Sequence, residues 1–407
     1  MTGTPGTSSS LCFMSELPLD GVTVVSLEQA VAAPLATRHL ADLGARVIKL
    51  ERIGEGDFAR NYDTAVDGMA SHFVWLNRGK ESIALDLKSV DGVAIARELI
   101  ARADVFVQNS APGAAARLGL DPARLAQDHP ALVAASITGY GDAGPLRDRK
   151  AYDLLIQAET GLVSLTGSPD EPAKTGVPVS DIAAGMYLAQ SILAALLRRG
   201  RTGRGGIVDV SMFDATAEWI GHPMYVQMHT GRQTPRHGLG HAAIVPYDSF
   251  PTVDGRLLIG VQNDRGWRTL MADVFGRPDV ADDPRFVTNT DRVAHRPECD
   301  AAVAAETARF SAAELASRLD AAGVPSAVLN DVAGLVDHPQ LAERDRWRTV
   351  GTPVGPVRAL LPPMGLRGVE LAMGDVPALG EHSRALLTEL GYPATTSEEL
   401  IAAGVVG

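Results

Sequence analysis

Asp181 is the carboxylate whose sequence surroundings best suit covalent chemistry. It stands in VPVSDIAAG at residues 177–185, where the most apolar predicted helix of the chain begins. A carboxylate there can accept hydrogen bonds from unsatisfied backbone N–H groups and interact favourably with the helix dipole, which is a structural role. The same position, partly shielded from water, would also suit a nucleophilic carboxylate held ionised. Position alone leaves both roles open.

A second candidate segment follows the glycine-rich residues 139–144. Lys150, Tyr152 and Asp153 come directly after it. A flexible loop followed by these residue types either lines a site or joins a strand to a helix at the surface. The residues do not decide between the two.

A third candidate segment combines Arg236 and His241 with Gly238 and Gly240. An arginine and a histidine flanked by glycines at a domain junction are well placed to meet a carboxylate substrate. An ordinary glycine linker is the competing interpretation.

Several motifs of nucleotide and metal chemistry are missing from the sequence. The first strand–helix turn, EQAVAAP at 28–34, has no glycine, and the one GxGxxG string at 139–144 leads into Pro145 and charged residues. Neither suits a pyrophosphate-binding turn. P-loop, HExxH and GxSxG motifs do not occur, and the ten histidines are scattered. We therefore expect neither NAD nor a metal.

Composition and charge restrict the class of protein. The 407 residues are 45% hydrophobic and 21% charged, with a net charge of -12, which favours a globular protein and argues against nucleic-acid binding. No apolar run approaches the roughly 20 residues of a membrane span, and residues 1–14 do not resemble a signal peptide. Cys12 and Cys299 are too few and too far apart for a disulfide framework and are interpreted as incidental. We expect a cytoplasmic protein with no membrane partner.

Basic residues concentrate in the N-terminal half of this acidic chain. They are Arg46, Lys49, Arg52, Arg78, Lys80, Lys88, Arg117, Arg147, Arg149 and Lys150. Such a pattern predicts a local basic surface that suits a small anionic ligand better than a polyanion.

The elements that would position these residues alternate along the first half of the chain. Val22–Leu27, Pro34–Leu43 and Ala45–Glu51 read as strand, helix and strand. Further strands are predicted at Ser82–Leu87, Val105–Gln108, Leu132–Ile137 and Ile207–Ser211, and further helices at Asp91–Ala103 and Ala183–Arg198. This alternation predicts an α/β fold with a parallel sheet and helices on both faces.

A change of composition at Thr230–His241 predicts a linker into a smaller domain. Strands are expected there at Tyr247–Val253, Leu257–Val261 and Val324–Leu329, and helices at Trp267–Phe275 and Ala301–Ala322. The tail returns to a helix at Ser383–Leu390. The predicted organisation is a disordered tail at 1–16, a large domain at 17–229, a small α+β domain at 230–330, and a return to the large domain at 331–407.

Several segments in order resemble the family III CoA-transferases, the CaiB/BaiF group. The matching segments are Leu17–Val25, Gly44–Arg52, Asn77–Lys88, Asp104–Leu120, Ala135–Pro145, Asp181–Gly205, Asp282–Arg292, Gly323–Pro325, Asp337–Gln340 and Leu379–Leu390. The resemblance implies a Rossmann-like large domain built from both chain ends, a smaller domain and an interlocked homodimer. It also implies coenzyme A and acyl-CoA as substrates and Asp181 as the nucleophile, acting through a mixed anhydride and an aspartyl–CoA thioester.

The same resemblance assigns residues to the CoA site. Gln29, Ala30, Val31 and Ala32 would flank the pantetheine, Leu85, Asn109 and Ser110 would line the adenine and ribose end, and Arg52, Lys88, Arg117 and Lys150 would face the phosphates or the pantetheine approach. Met212 would touch the site wall, and Tyr152 is also assigned to CoA binding. Asp153, Arg236, Gly238, Gly240 and His241 are assigned to the substrate acid.

Departures from the family pattern narrow the implied reaction. Formyl-CoA members carry a glutamine where this chain has Val31, so formyl or oxalyl transfer is not expected. Racemase members carry a histidine where this chain has Tyr152, and tyrosine is a poor base at neutral pH. Residues 236–250 and 262–267 look like the subgroup acting on C4–C6 dicarboxylates with succinyl-CoA. A racemase-type isomerase and an inactive CoA-binding paralogue remain the alternatives.

Overall fold

The computed structural model describes residues 17–407. The predicted tail at 1–16, with Cys12, lies outside the described residues. The chain forms two compact units. The first takes residues 17–160, 176–219 and 346–407, and the second takes residues 161–175 and 220–345.

The strands alternate with helices through the first part of the chain. In chain order they are β1 (Thr23–Leu27), β2 (Arg46–Arg52), β3 (Lys80–Leu85), β4 (Val105–Gln108), β5 (Val133–Thr138), β6 (Gly206–Ser211), β7 (Tyr247–Thr252), β8 (Gly255–Gly260), β9 (Ser326–Val328), β10 (Trp347–Val350) and β11 (Val357–Leu360).

The α-helices range from one turn to more than six. In chain order they are α1 (Ala32–Asp42), α2 (Ser71–Asn77), α3 (Val90–Ala101), α4 (Ala114–Arg117), α5 (Pro122–Asp128), α6 (Asp153–Glu159), α7 (Leu162–Leu165), α8 (Val179–Thr202), α9 (Met212–Trp219), α10 (Gly221–Thr230), α11 (Asp264–Arg268), α12 (Pro278–Ala281), α13 (Asn289–Ala294), α14 (Arg296–Thr307), α15 (Ala312–Ala322), α16 (Val332–Val336), α17 (Pro339–Glu343), α18 (Ser383–Leu390) and α19 (Ala394–Ala402). A 3-10 helix covers Phe58–Asn61, and a π-helix covers Thr269–Val274.

A six-stranded parallel sheet organises the first unit, so the predicted α/β fold is confirmed. Its strand order is β3-β2-β1-β4-β5-β6. The order reverses between β1 and β4, and in such sheets ligands bind beyond the carboxyl ends of the strands at the reversal point. Gln29 and Asn109 follow these two strands, which places them at that point.

Alternate residues of the strands pack into two separate hydrophobic cores, as expected for strands buried on both faces of the sheet. Val24 and Val105 belong to the cluster that includes residues of α1 and α8. Val25 and Phe106 belong to the cluster that includes residues of α3, α18 and α19. The chain therefore returns after residue 346 to cover a face of the sheet that its N-terminal half has built.

Helix α8 is longer than the predicted Ala183–Arg198, because it begins at Val179 and ends at Gly203 in a left-handed conformation. Among the described helices it alone is long and apolar enough for a membrane span by length and composition. A core helix passes the same test, and Ala183, Leu188 and Ile192 of α8 lie in the core beside the sheet.

The second unit contains the antiparallel sheet β7-β8-β9 and most of the remaining helices. The paired predicted strands on either side of Gly255 are confirmed as β7 and β8. The predicted helix at Trp267–Phe275 is a short α-helix that continues as a π-helix. Helix α10 and the β10–β11 hairpin were not predicted, because neither has a clear period of apolar residues.

Candidate active site

Asp181 is the third residue of α8, and the carboxylate that caps this helix is Asp153. The N-cap residue, Pro178, provides no side-chain hydrogen bond. Oδ1 of Asp153 instead accepts from the backbone N–H groups of Ser180, at 2.8 Å, and Asp181, at 3.3 Å. The structural role considered for Asp181 therefore belongs to Asp153, and the Asp181 side chain makes no hydrogen bond or ion pair within residues 17–407.

The sequence allows a carboxylate held ionised at this helix end, and the surroundings of Asp181 oppose its ionisation. Burial, followed by the nearby carboxylate of Asp153, raises the pKa of Asp181 to about 7. Desolvation disfavours the charged form of the carboxylate, and the first-turn N–H groups that could stabilise it are already bonded to Asp153. Asp181 therefore keeps its proton to a higher pH than an ordinary aspartate does.

An ionised Asp181 as the attacking group predicts a specific pH dependence. The ratio kcat/KM for acyl-CoA should rise with pH to a plateau above about 7 and fall about tenfold per unit on the acid side. Asp153→Asn keeps an acceptor for the N–H groups but removes the neighbouring charge, so the midpoint should move to lower pH. Steady-state rates from pH 5 to 9 measure it, and comparison of both proteins at each pH cancels the titration of CoA phosphate. Identical midpoints would contradict the coupling between the two carboxylates.

The first strand–helix loop packs against the start of α8. Val31 and Ala30 form one apolar cluster with Ile182, the residue after Asp181. Farther along α8, a Cβ atom placed on Gly185 would lie 2.5 Å from the carbonyl oxygen of Ala32. A glycine is needed there because the backbone at the start of α1 approaches α8 too closely for any side chain. The loop predicted to flank the pantetheine thus forms a wall beside Asp181.

Tyr62 adds a hydroxyl group within electrostatic range of Asp181. Burial, followed by the charges of Asp57 and Asp181, raises the pKa of Tyr62 to about 12. The phenol therefore keeps its proton at neutral pH and remains a hydrogen-bond donor. Its ring packs edge-on against His72 at 5.5 Å between centroids.

The structure joins some of the predicted CoA residues and separates others. Asn109 exchanges two hydrogen bonds with the backbone of Gln29, at 2.9 and 2.8 Å. Leu85 and Met212 are core residues, 1% and 6% exposed, so their side chains have little surface to offer a ligand. The exposed members of the predicted set are Arg52, Lys88, Arg117, Lys150 and Tyr152, while Ser110 is half-buried. Arg52 pairs with Glu55 at 2.9 Å.

The predicted basic surface is partly wrong. Lys49, Arg78 and Lys80 are buried, and each pairs with a buried carboxylate of the same unit. Burying a charge is costly unless it is paired, which explains the pairing. These three residues cannot meet a ligand at the surface, and the anion-facing set shrinks to the exposed arginines and lysines.

The residues predicted to hold the substrate acid, other than Asp153, lie in the second unit. The Arg236 guanidinium donates to the carbonyl oxygens of Ser168, at 2.8 Å, and Pro169, at 3.0 Å. His241 stacks on Tyr247 with 5.5 Å between ring centroids. Gly238 takes a left-handed conformation, and Gly240 lies where a Cβ would meet the Asp248 carboxylate. Their role toward a substrate stays a prediction.

No metal centre is assembled within residues 17–407, where no group of three or more His, Cys, Asp or Glu side chains could hold an ion. Cys299 is a free, buried thiol of the second unit. Burial raises the pKa of this thiol to about 12, so it stays protonated.

Comparison with known proteins gives the family. A model described as CoA-transferase family III matches residues 19–383. The chain belongs to that family. The acetyl-CoA:oxalate CoA-transferase of Acetobacter aceti is 37% identical, over 92% of this chain and 96% of the relative. The succinate–glutarate CoA-transferase of Agrobacterium fabrum is 35% identical, over 92% and 96%.

A solved structure supports the same assignment. The crystal structure of a CAIB/BAIF family protein from Brucella suis matches with a TM-score of 0.81 and 36% identity, over 92% of this chain and 99% of that one. The resemblance inferred from the sequence segments is therefore confirmed, and the chain is a family III CoA-transferase.

Sequence reasoning missed three residues at the site of this family III CoA-transferase. Asp57 and Tyr62 follow β2 without any recognisable motif, and only the fold brings them to Asp181 or its wall. Gly185 carried a readable signal, since a glycine inside the most apolar helix costs stability unless another backbone needs the space.

Proposed function

We propose that this enzyme transfers CoA between carboxylic acids, with Asp181 as the covalent nucleophile. The observation that carries the proposal is the Asp181 carboxyl itself, which is half-buried at the start of α8, has a pKa raised by desolvation, and has no side-chain partner in the described part of the chain. A structural carboxylate in such a place would be paired, because an unpaired buried charge destabilises the fold.

In the first half-reaction an Asp181 carboxylate oxygen attacks the thioester carbonyl of the donor acyl-CoA. The C–S bond breaks, CoA leaves as the thiolate, and a mixed anhydride remains on Asp181. The thiolate then attacks the aspartyl carbonyl. The donor acid departs as its carboxylate, and an aspartyl–CoA thioester is left.

The second half-reaction runs the same steps with the incoming acid. Its carboxylate attacks the aspartyl thioester and displaces the CoA thiolate. The thiolate attacks the acceptor's acyl carbon in the new anhydride, which frees Asp181 and forms the new acyl-CoA. No net proton is gained or lost. The intermediates hydrolyse readily, so exclusion of water is part of the mechanism.

Coenzyme A would bind at the reversal point of the sheet. Gln29 and Asn109, fixed to each other beyond β1 and β4, suit the pantetheine and ribose parts of the molecule. Lys88, Arg117 and Lys150 are exposed cations that suit its phosphates. The uncapped N-terminus of α1 and the protonated Tyr62 offer donors for a developing oxyanion.

The acceptor is proposed to be a dicarboxylic acid. The two relatives named above carry oxalate and glutarate in their names, and residues 236–250 resemble the subgroup for C4–C6 dicarboxylates. Arg236 and His241 are kept as the proposed grip on a distal carboxylate. Oxalate joins the candidate acids despite Val31, because a relative at 37% identity is named for it. A homodimer and a cytoplasmic location complete the proposal.

A mass-spectrometric exchange assay tests the function. Succinyl-CoA and acetyl-CoA serve as donors, and oxalate, glutarate, itaconate, mesaconate, citramalate, malate and hydroxymethylglutarate as acceptors. We expect a new acyl-CoA with at least one acid. Absence of exchange with all of them would contradict the dicarboxylate assignment. Solvent deuterium at the α-carbon without exchange would instead indicate the racemase-type reaction.

A further inference from the structure

Beside the candidate site lies a group of charged residues that no catalytic step has used. Glu28, Lys49, Asp57 and Lys80 are each at most 3% exposed. Lys49 Nζ lies 2.8 Å from Asp57 Oδ2 and 3.4 Å from Glu28 Oε1, and Lys80 Nζ lies 2.7 Å from the same Glu28 oxygen. Two carboxylates and two ammonium groups are thus removed from water together. Replacement of such groups by apolar side chains of similar volume is often neutral or stabilising, so their presence is weak evidence for a stabilising role.

One carboxylate oxygen of this group takes no part in the ion pairs and accepts a hydrogen bond from the loop beside Asp181. Asp57 Oδ1 accepts from the backbone N–H of Ala30 at 3.0 Å. Ala30 has φ = 66°, a left-handed conformation that a residue with a Cβ adopts at a cost. The preceding residue, Gln29, is held from the other side by Asn109. Three hydrogen bonds to side chains thus hold the backbone of Gln29 and of the strained Ala30, which indicates that the surroundings, and not the loop itself, determine the backbone path.

The backbone path at Ala30 determines where the wall of the candidate site lies. Ala30 and Val31 pack with Ile182, and the carbonyl oxygen of Ala32 faces Gly185 of the helix that carries Asp181. If Ala30 relaxed out of the left-handed region, the chain direction at Val31 and Ala32 would change. Both the apolar contact beside Asp181 and the close approach at Gly185 depend on that direction.

We propose that Asp57 is a positioning residue for catalysis, which acts by holding Ala30 in its left-handed conformation while Lys49 holds Asp57. The inference rests on the proposed transferase function. Asp57 itself does not meet the substrate, because its side chain is fully buried. Its role is to fix the loop that faces the nucleophile, and the ion pair fixes its carboxylate in turn.

Two double variants separate the hydrogen-bond acceptor at residue 57, which serves the N–H groups of Ala30 and Ala59, from its charge. Asp57→Ala with Lys49→Met and Asp57→Asn with Lys49→Met both remove the ion pair without leaving an unpaired buried charge. Only the asparagine variant keeps an acceptor for the Ala30 N–H. We expect kcat to fall about 100-fold in the alanine variant, the loss typical of a misplaced site wall, and to be at least tenfold higher in the asparagine variant. Equal kcat values in two folded double variants would overturn the proposal.

A triple variant tests whether the conformation of Ala30 is the link. Adding Ala30→Gly to the alanine double variant removes the Cβ that disfavours the left-handed region. We expect kcat to recover at least threefold. A purely structural role of Asp57 gives no reason for such a recovery, so its absence would count against the proposal.

Hydrogen–deuterium exchange gives a readout that needs no turnover. The peptide covering residues 29–33 should exchange at least tenfold faster in the alanine double variant than in the asparagine double variant, while peptides of the second unit stay unchanged. Equal exchange would contradict the proposed hold on the loop. A parent enzyme that transfers CoA to no acid would defeat the proposed function instead, and the exchange comparison would still decide whether Asp57 fixes Ala30.

Discussion

Replacement of Asp181 by asparagine is expected to lower kcat for CoA transfer by at least about four orders of magnitude. The amide preserves size and shape but cannot form the anhydride, and loss of a covalent nucleophile commonly costs this much or more. CoA binding should change little, because the carboxylate meets the acyl group and not the nucleotide. The exchange assay measures the rate, and mass spectrometry of the parent after brief treatment with acyl-CoA should find a CoA adduct on the peptide containing residue 181.

The matched control is Asp91→Asn, an exposed aspartate in the first turn of α3. It should retain the activity of the parent. Thermal unfolding gives a second check with a definite sign. Since the folded pKa of Asp181 is raised from 3.8 to about 7, ionisation of Asp181 destabilises the fold progressively as the pH rises between these values. The asparagine variant should therefore gain more in Tm over the parent at pH 8 than at pH 5. Substantial transfer by this variant would refute Asp181 as the nucleophile.

Gly185→Ala is expected to have the second largest effect, although the change adds a single methyl group. The new Cβ would lie 2.5 Å from the carbonyl oxygen of Ala32 and 3.2 Å from the Leu35 side chain. A backbone oxygen cannot move aside as a flexible side chain can, so α8 and the start of α1 must separate. We expect a loss of about 1–3 kcal/mol in the free energy of unfolding and a fall in kcat of about 100-fold, because displacement by about 1 Å has this effect in catalysis.

Gly200→Ala is the control on the same helix. A Cβ at Gly200 meets no atom within 4 Å, and the residue lies inside α8. Alanine there should stabilise the protein slightly or leave it unchanged, since alanine is the better helix former. Denaturant unfolding and steady-state kinetics on both variants separate a general effect of removing a helix glycine from the specific contact at Ala32. Equal behaviour of the two variants would contradict the close approach.

Much of the sheet could be predicted from the sequence because its strands are short, β-branched and buried on both faces. Val105–Gln108 was predicted with the bounds it has in the structure. The fact that residues 161–175 belong to the second unit could not be predicted, since no shift in composition marks this segment. The one-turn helix there, α7, lacks the repeated apolar spacing on which helix prediction depends.

The candidate site, too, could be predicted from the sequence only in part. Asp181 could be found because a lone carboxylate before a long apolar helix is a visible pattern. The burial that raises its pKa, and the cap supplied by Asp153, depend on packing between segments about 28 residues apart. The sequence also could not tell buried lysines from exposed ones. Lys49 and Lys88 look alike in the chain, and only their depth in the fold separates an ion-pair partner from a candidate phosphate contact.

The closing of the sheet by the last part of the chain has a consequence for biosynthesis. The backbone N–H of Ser82 in β3 donates to His382, 300 residues farther along, and Leu386 and Leu387 of α18 complete the apolar face that includes Ile83. On a ribosome that adds about 5–20 residues per second, the part of this face that α18 covers stays exposed for roughly 15–60 seconds. During that time a nascent chain exposes the apolar surface of β3 that α18 covers in the finished fold. Recombinant fragments that end before residue 346 should therefore aggregate, and folding of the full chain should depend on chaperones that hold apolar surfaces.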